Sequence, residues 1–334
     1  MFKFKYVLFG LIFAIIAILP ITMPDIITAN ADGRAEIAME LTHENILYEK
    51  NADYQLPMAS TTKIMTALLI VEDCNLSDEI VVPEEAVGIE GSSIYLKKDE
   101  KISIKDLLYG LMLRSGNDAA TALAIHHSGS IDAFVKAMNT KAEEIGAKNT
   151  HFANPSGLPN ENHYTTARDL CHIACYAMKN ETFAEVVGCT NYNGDYKSFT
   201  NKNKILYSLD GANGVKTGYT VKAGRCLVSS AKRGNMDVVC VVLNCYDMYE
   251  RSEKIIENCF KRYTVEIISK ETIFNFNGKL CRLNSDFSVC IDKDKQINYN
   301  ISSLEESEKN LEAIAKLQIF SENDLIFNEF LYSI

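Results

Sequence analysis

Three short stretches carry side chains able to make and break an acyl bond. The first is Ser60-Thr61-Thr62-Lys63, just after Pro57 and at the head of an apolar run ending near Ile70. On a helix, positions three apart share a face, so Ser60 and Lys63 point the same way, with Ser60 in the capping position. A serine hydroxyl is a poor nucleophile until a base takes its proton. A lysine amine serves as that base once burial or a second cation lowers its pKa. The helix N-terminus adds partial positive charge where an attacked carbonyl becomes an oxyanion. Taken alone, this spacing equally fits an ordinary cap beside a solvated lysine. The second stretch, Arg114-Ser115-Gly116-Asn117-Asp118, follows a helical run, and the third, Gly214-Val215-Lys216-Thr217-Gly218, precedes strand-like sequence. Ser-x-x-Lys, Ser-x-Asn and Lys-Thr-Gly in that order, at domain-scale spacing, turn the reading toward acyl transfer.

These residues need a scaffold, and the sequence supplies one. Residues 36–41 and 46–49 alternate as a hairpin. The helix carrying Ser60 runs to about residue 71. Gly91-Ser92-Ser93 reads as a loop at the rim of a cleft. Ser103 caps a helix with Asp106 three residues on, and this helix ends near Arg114. Asp118 starts the next helix. Ser130 caps another, which Gly146 ends. Residues 148–162 form a loop rich in Asn, Pro and Gly; His151 and His163 beside it receive no catalytic role. Thr166 caps a helix through Met178. Residues 191–209 fit either strands or an irregular flap. Residues 224–231 and 236–245 are apolar strands joined by Lys232-Arg233-Gly234-Asn235. Asp247 starts a last helix. After Tyr263 the pattern shifts to short alternating runs, a small β domain reaching Ile334.

The chain has 334 residues, 47% hydrophobic, enough for one large domain and a small one. A formal charge of −10 with no basic block argues against a nucleic-acid partner. Residues 1–31 read as a secretory signal peptide: Lys3 and Lys5, an apolar run over 6–19, then Ala29-Asn30-Ala31 before cleavage at Asp32. The apolar run is short for a retained membrane span. Ten cysteines sit mostly inside apolar runs, where they act as small hydrophobes. They read as thiols, with Cys281–Cys290 as the pair best suited to a bridge. No spacing completes a metal site, and no cofactor is called for.

The three motifs are the signature of the penicillin-recognising serine acyltransferases, and the chain resembles the low-molecular-weight D-alanyl-D-alanine carboxypeptidases, the serine-type penicillin-binding proteins. Gly91-Ser92-Ser93, Leu113-Arg114-Ser115-Gly116-Asn117-Asp118-Ala119, Gly146-Ala147-Lys148-Asn149-Thr150-His151-Phe152, Ala167-Arg168-Asp169 and Lys216-Thr217-Gly218-Tyr219-Thr220 carry the likeness across residues 33–262. It implies an α+β fold of the serine β-lactamase and penicillin-binding type, an antiparallel sheet flanked by helices, with residues 32–262 catalytic and 263–334 a C-terminal β domain. It implies Ser60 as the acylated nucleophile, Lys63 as its base, Ser115 as the proton relay, and Asn117 as holder of the substrate amide and the lysine. Lys216 would supply charge and Thr217 would bind a terminal carboxylate. Backbone N–H groups of Ser60 and Tyr219, beside Gly218, would form the oxyanion hole, and Arg251 would help bind the carboxylate. The substrate implied is the D-Ala-D-Ala end of peptidoglycan stem peptides outside the cytoplasm, with β-lactams as covalent inhibitors. The family also implies peripheral membrane association through a terminal amphipathic helix, but residues 326–331 read as strand. A class A β-lactamase is the nearest rival. Against it, no Glu-x-x-x-Asn lies between Asn117 and Lys216, and Gly116 replaces the usual aspartate. A non-catalytic β-lactam sensor or structural paralogue is a third reading.

Overall fold

The computed structural model describes residues 33–308 and 312–334. The chain opens with a hairpin, β1 (Ala35–Glu40) and β2 (Ile46–Lys50), and enters α1 (Lys63–Asp73) through a 3₁₀ turn at Ala59–Thr62. The pair β3 (Glu79–Val81) and β4 (Lys101–Ser103) leads into a helical block: α2 (Ile104–Tyr109), α3 (Asn117–Ser128), α4 (Ile131–Ile145), α5 (Ala167–Met178) and α6 (Glu181–Gly188). The hairpin β5 (Asn191–Asn193) and β6 (Ser198–Thr200), then the single turn α7 (Ile205–Ser208), return the chain to the sheet. That sheet is completed by β7 (Ala212–Thr220), β8 (Gly224–Arg233) and β9 (Met236–Leu243), and α8 (Met248–Arg262) follows.

The main sheet is antiparallel in the order β2-β1-β9-β8-β7, which leaves β7 as an edge. Alternation on β9 divides the interior: Val239, Val241 and Leu243 meet α1 and the helical block, while Val238, Cys240 and Val242 meet α8. With both faces covered, a central strand reads as an unbroken apolar run. α1 is buried on every side from Lys63 to Ile70, so it lacks the single apolar stripe of a surface helix. Each such Ile or Leu contributes about 1.5–3 kcal/mol by burial. The local caps form as the sequence requires: Ser103, Ser130 and Thr166 accept from the backbone N–H three residues on, and Gly146 ends α4 at φ 90°.

The C-terminal region comprises β10 (Tyr263–Ile268), β11 (Phe274–Phe276), β12 (Lys279–Arg282), β13 (Phe287–Asp292), β14 (Ile297–Ser302), β15 (Ala313–Ser321) and β16 (Asp324–Ser333). β10 pairs with β13, and the others form a sheet ordered β11-β12-β16-β15-β14. Val265 of β10 and Cys290 of β13 join the apolar cluster under α8. No described helix is long and apolar enough to cross a membrane; the expected signal peptide at residues 1–31 lies outside the described residues.

Several expectations are corrected. Ser60 does not cap α1. Thr61 and Thr62 return their hydroxyls to the carbonyls of Met58 (2.6 Å) and Ala59 (2.8 Å), which tightens the turn and delays the α-helix to Lys63. A helix beyond Met178, α6, is capped by Asn180. Residues 191–209 hold a hairpin and one helical turn, with Tyr192 stacked on Tyr109 at 3.7 Å. All ten cysteines are free. Cys281 and Cys290 lie on different sheets and in different apolar clusters, so the expected bridge is not formed.

Candidate active site

The Lys63 amine is fully buried and touches three oxygens: Ser60 Oγ at 3.0 Å, Asn117 Oδ1 at 2.7 Å and the Ser156 carbonyl at 2.5 Å. Burial pushes its pKa well below 10.5, and the charges of Lys216 and Lys202 push the same way. A neutral amine has two N–H donors and one lone pair. Asn117 Oδ1 and the Ser156 carbonyl can only accept, so they take both donors. Once the amine has lost its proton, its lone pair is thus left to Ser60 Oγ, 3.0 Å away, as the acceptor of the serine proton. This is the geometry of a base poised on a nucleophile.

Lys216 occupies a second buried position. Its amine donates to Ser115 Oγ at 3.1 Å and to the Thr217 carbonyl at 2.8 Å. Burial and the Lys202 charge lower its pKa to about 7. Ser115 is held in the left-handed region, φ 65°, between the wide turn Gly110–Arg114 and α3. Its hydroxyl thus stands beside Lys216, while Asn117 of the same connection holds Lys63.

Backbone orientation on β7 follows from the register. The Arg225 carbonyl accepts from Cys245 N–H, on the β9 side of β8. Arg225 therefore turns its own backbone groups away from β7, and its partner Tyr219 turns its N–H outward to the open edge. By the same alternation Thr217 faces outward, consistent with the Lys216 contact to its carbonyl. Gly218 lets this edge approach the Ser60 turn: a Cβ there would lie 3.1 Å from both Ser60 N and the Met58 carbonyl. The N–H groups of Tyr219 and Ser60 are thereby assembled on one side of the cleft.

The supporting groups are mostly polar and buried. Asp118 accepts from Ser93 Oγ (2.6 Å), Ile94 N–H and Leu96 N–H, fixing the loop whose Ser92 carbonyl receives Asn117 N–H at 2.7 Å. Asn154 Oδ1 accepts the N–H groups of Ser156, Gly157 and Leu158, which sets the Ser156 carbonyl against Lys63. At Gly157 (φ +86°) a Cβ would fall 1.9 Å from the Ala59 carbonyl, so only glycine permits this approach. Ala153 N–H donates to His163 Nδ1 at 2.9 Å, so the neutral ring carries its proton on Nε2. Nε2 lies 2.6 Å from Thr62 Oγ1, which donates in turn to the Ala59 carbonyl. Burial, His151 and Lys63 hold the imidazole pKa down to about 4. His163 thus braces the turn that carries Ser60.

The structure brings together Ser60, Lys63, Ser115, Asn117, Lys216, Thr217, Gly218 and Tyr219. It does not bring Arg251. That side chain faces the α8 side of the sheet, where it grips Glu36 of β1 through two bonds of 2.8 and 2.6 Å and meets Tyr48 Oη at 2.7 Å. Strands β9 and β8 separate β1 from β7. The buried Glu36 carboxylate, 1% exposed, requires a cation, and Arg251 meets that requirement. Sequence reading also missed three groups. Lys202, 3.4 Å from Ser92 Oγ, acts electrostatically on both buried lysines, and nothing local marks it among other loop lysines. The Ser156 carbonyl is backbone and has no sequence signal beyond the Asn154-Pro155-Ser156-Gly157 turn. His163 is set by contacts distant in the chain.

A serine against a buried lysine of lowered pKa, an outward N–H on an edge strand and a second buried lysine are the groups that serine acyl transfer calls for, set on an antiparallel sheet flanked by helices. The D-alanyl-D-alanine carboxypeptidase family, peptidase S11, matches residues 23–247, and the chain belongs to this family. The D-alanyl-D-alanine carboxypeptidase DacF of Bacillus subtilis (strain 168) is 38% identical over 252 residues, 72% of this chain and 65% of that protein. The match thus spans just under two thirds of this relative's length. Penicillin binding protein 5 of Haemophilus influenzae superimposes with a TM-score of 0.74 at 25% identity, covering 90% of this chain and 96% of that one. A variant of a Streptomyces DD-transpeptidase gives 0.65 at 34% identity, covering 68% and 97%.

Proposed function

We propose that this chain is a serine D,D-carboxypeptidase that removes the terminal D-Ala of peptidoglycan stem peptides through a Ser60 acyl-enzyme, and that β-lactams acylate the same serine. The observation that carries this reading is the desolvated Lys63 amine, 3.0 Å from Ser60 Oγ and held by Asn117 Oδ1 and the Ser156 carbonyl. Ser60 Oγ passes its proton to Lys63 and bonds to the scissile carbonyl carbon. The resulting oxyanion lies against the N–H groups of Ser60 and Tyr219. Collapse breaks the C–N bond, and the proton taken up by Lys63 passes through Ser115, which Lys216 contacts, to the departing D-Ala amine, leaving Lys63 neutral again. Water, deprotonated by Lys63, then releases the acid and restores Ser60. Lys216, with the Thr217 hydroxyl, favours a substrate ending in a carboxylate. Peptidoglycan lies outside the cytoplasm, so this function requires export, for which residues 1–31 supply the signal.

A transpeptidase is the second reading, because one superimposable protein bears that name. The two differ only in what attacks the acyl-enzyme. The test is D-alanine release from diacetyl-Lys-D-Ala-D-Ala, with and without an added amine acceptor, alongside intact-mass detection of a penicillin adduct. Repeated release without acceptor, and one adduct absent from Ser60→Ala, are expected. A single turnover without acceptor would favour transfer or sensing, and an adduct at full yield in Ser60→Ala would overturn the nucleophile.

A further inference from the structure

The carboxypeptidase reading accounts for Ser60, Lys63, Ser115 and Lys216, yet a cavity beside them has no part in it. This cavity of about 530 Å³ is walled by Tyr219, Arg225, Asn244, Tyr246 and Met248. Tyr219 directly follows Lys216-Thr217-Gly218, and Arg225 is its partner across β7 and β8. Direct cross-strand partners share a face. Leu227, two residues beyond Arg225, belongs to the cluster under α8, so Arg225 and Tyr219 project to the α8 side, where Met248 supplies the far wall.

Arg225 is exposed, and among the described residues no acid pairs with it. Its guanidinium carbon lies 5.2 Å from the centre of the Tyr246 ring, and its charge is also felt at the Tyr249 hydroxyl. Asp247, the acid next along the chain from Tyr246, is engaged by Arg34 at 3.3 Å and by the Cys245 thiol at 3.3 Å. A guanidinium resting on an aromatic ring keeps its in-plane N–H donors free, and that fork matches a carboxylate.

Resting on the carboxypeptidase reading, we propose that this cavity is a subsite for a carboxylate on the acyl portion of the substrate, with Arg225 as its partner and Tyr246 as the plate that orients it. The substrate's terminal carboxylate lies at Lys216 and Thr217 and its scissile carbonyl at Ser60 and Tyr219. The acyl portion therefore continues past Tyr219 toward Thr220. An extended chain advances about 3.3 Å per residue and alternates its side chains between faces. A substituent one to two residues before the scissile D-Ala, on the α8 side, thus enters the cavity. The ligand class is a peptide carboxylate, and the site selects among substrates without touching the reacting atoms.

The test uses two substrates of one length, N-acetyl-γ-D-Glu-Lys(acetyl)-D-Ala-D-Ala and the analogue whose glutamyl α-carboxylate is an amide. D-Alanine release is measured at low and high salt with wild type, Arg225→Gln and Arg225→Lys, after thermal melts establish that each variant is folded. Wild type should prefer the carboxylate by about fivefold at low salt, the scale of an exposed ion pair, and less at high salt. Arg225→Gln should bring the ratio near one, and Arg225→Lys should keep part of the preference. An acid-to-amide ratio that is the same in wild type and Arg225→Gln overturns the proposal. If wild type releases D-alanine from neither peptide, the carboxypeptidase reading has failed instead. The subsite is then read by acylation rates with a penicillin whose side chain bears a carboxylate against one that lacks it, where equal ratios in wild type and Arg225→Gln again overturn it.

Discussion

Lys216→Ala removes a cation whose protonation the fold has made costly. Lys216 is 2% exposed, and burial with the Lys202 charge lowers its pKa from 10.5 to about 7. That displacement disfavours the ammonium by about 5 kcal/mol, at about 1.36 kcal/mol per pKa unit. An arriving substrate carboxylate offsets the cost, so carboxylate binding is coupled to a proton on Lys216. The sign follows. Below its pKa the free enzyme presents an ammonium, and above it a neutral amine. Since kcat/KM tracks the free enzyme, it should fall about tenfold per pH unit above about pH 7 for a substrate ending in a carboxylate. The acid limb belongs to Lys63, which must be neutral to act, so kcat/KM rises with pH through the lowered pKa of that group. Removing one partner of a desolvated pair costs about 3–5 kcal/mol, so Lys216→Ala should lower kcat/KM by roughly a hundredfold or more and abolish the alkaline limb. It should also move the acid limb to higher pH, because Lys63 loses a neighbouring positive charge. A C-terminal amide substrate should react slowly with wild type, show no alkaline limb and lose little more with the variant. The assay is release of D-alanine or its amide from diacetyl-Lys-D-Ala-D-Ala and the amidated peptide, with both enzymes, from about pH 5 to 10. If wild type cleaves the amide as fast as the acid, or if Lys216→Ala keeps the alkaline limb, the carboxylate argument is wrong.

Arg251→Ala should act on stability and leave the chemistry alone. Burial alone would raise the Glu36 carboxyl, but hydrogen bonds from Arg251 and Tyr48 outweigh it and hold the pKa below 4.5. Stranding that carboxylate costs about 3–5 kcal/mol, a fall in Tm of roughly 10 °C, while the penicillin acylation rate below the transition changes less than about threefold. A tenfold loss of acylation with an unchanged Tm would return Arg251 to the cleft. His163 gives a pH signature. Its pKa is near 4 when folded, against 6.5 ordinarily, so between these values the unfolded chain binds the extra proton and stability rises with pH. Acidification from pH 6.5 to 4 should remove about 3 kcal/mol through this group. Urea melts at several pH values should show a shallower loss in His163→Asn; identical slopes in the two proteins would refute the assignment.

What the sequence made legible was local. Ser60 and Lys63 share one turn, Ser115 and Asn117 share one connection, and the caps at Ser103, Ser130 and Thr166 each involve a neighbour three residues away. Chemistry at fixed short spacing survives any uncertainty about tertiary packing. The groups that complete the site obey no such spacing. The Ser156 carbonyl that holds the Lys63 amine is a backbone atom, and every residue has one. The two arginines make the same point from opposite sides. Arg251 follows a helix start at a distance from Lys216 that resembles a family pattern, but the register of β1 on β9 brings a buried acid, Glu36, within its reach, and a buried acid outcompetes an open cleft for a cation. Arg225 stands nine positions after Lys216 with no pattern to mark it. Its place beside the reacting strand comes from the tight connection between β7 and β8, which sets Tyr219 opposite Arg225 and so decides both its neighbour and its face. One residue more in that turn would re-pair the two strands, and a slip of one position sends a strand side chain to the opposite face. A motif search reads which residues exist at a spacing; the register decides which of them meet the substrate.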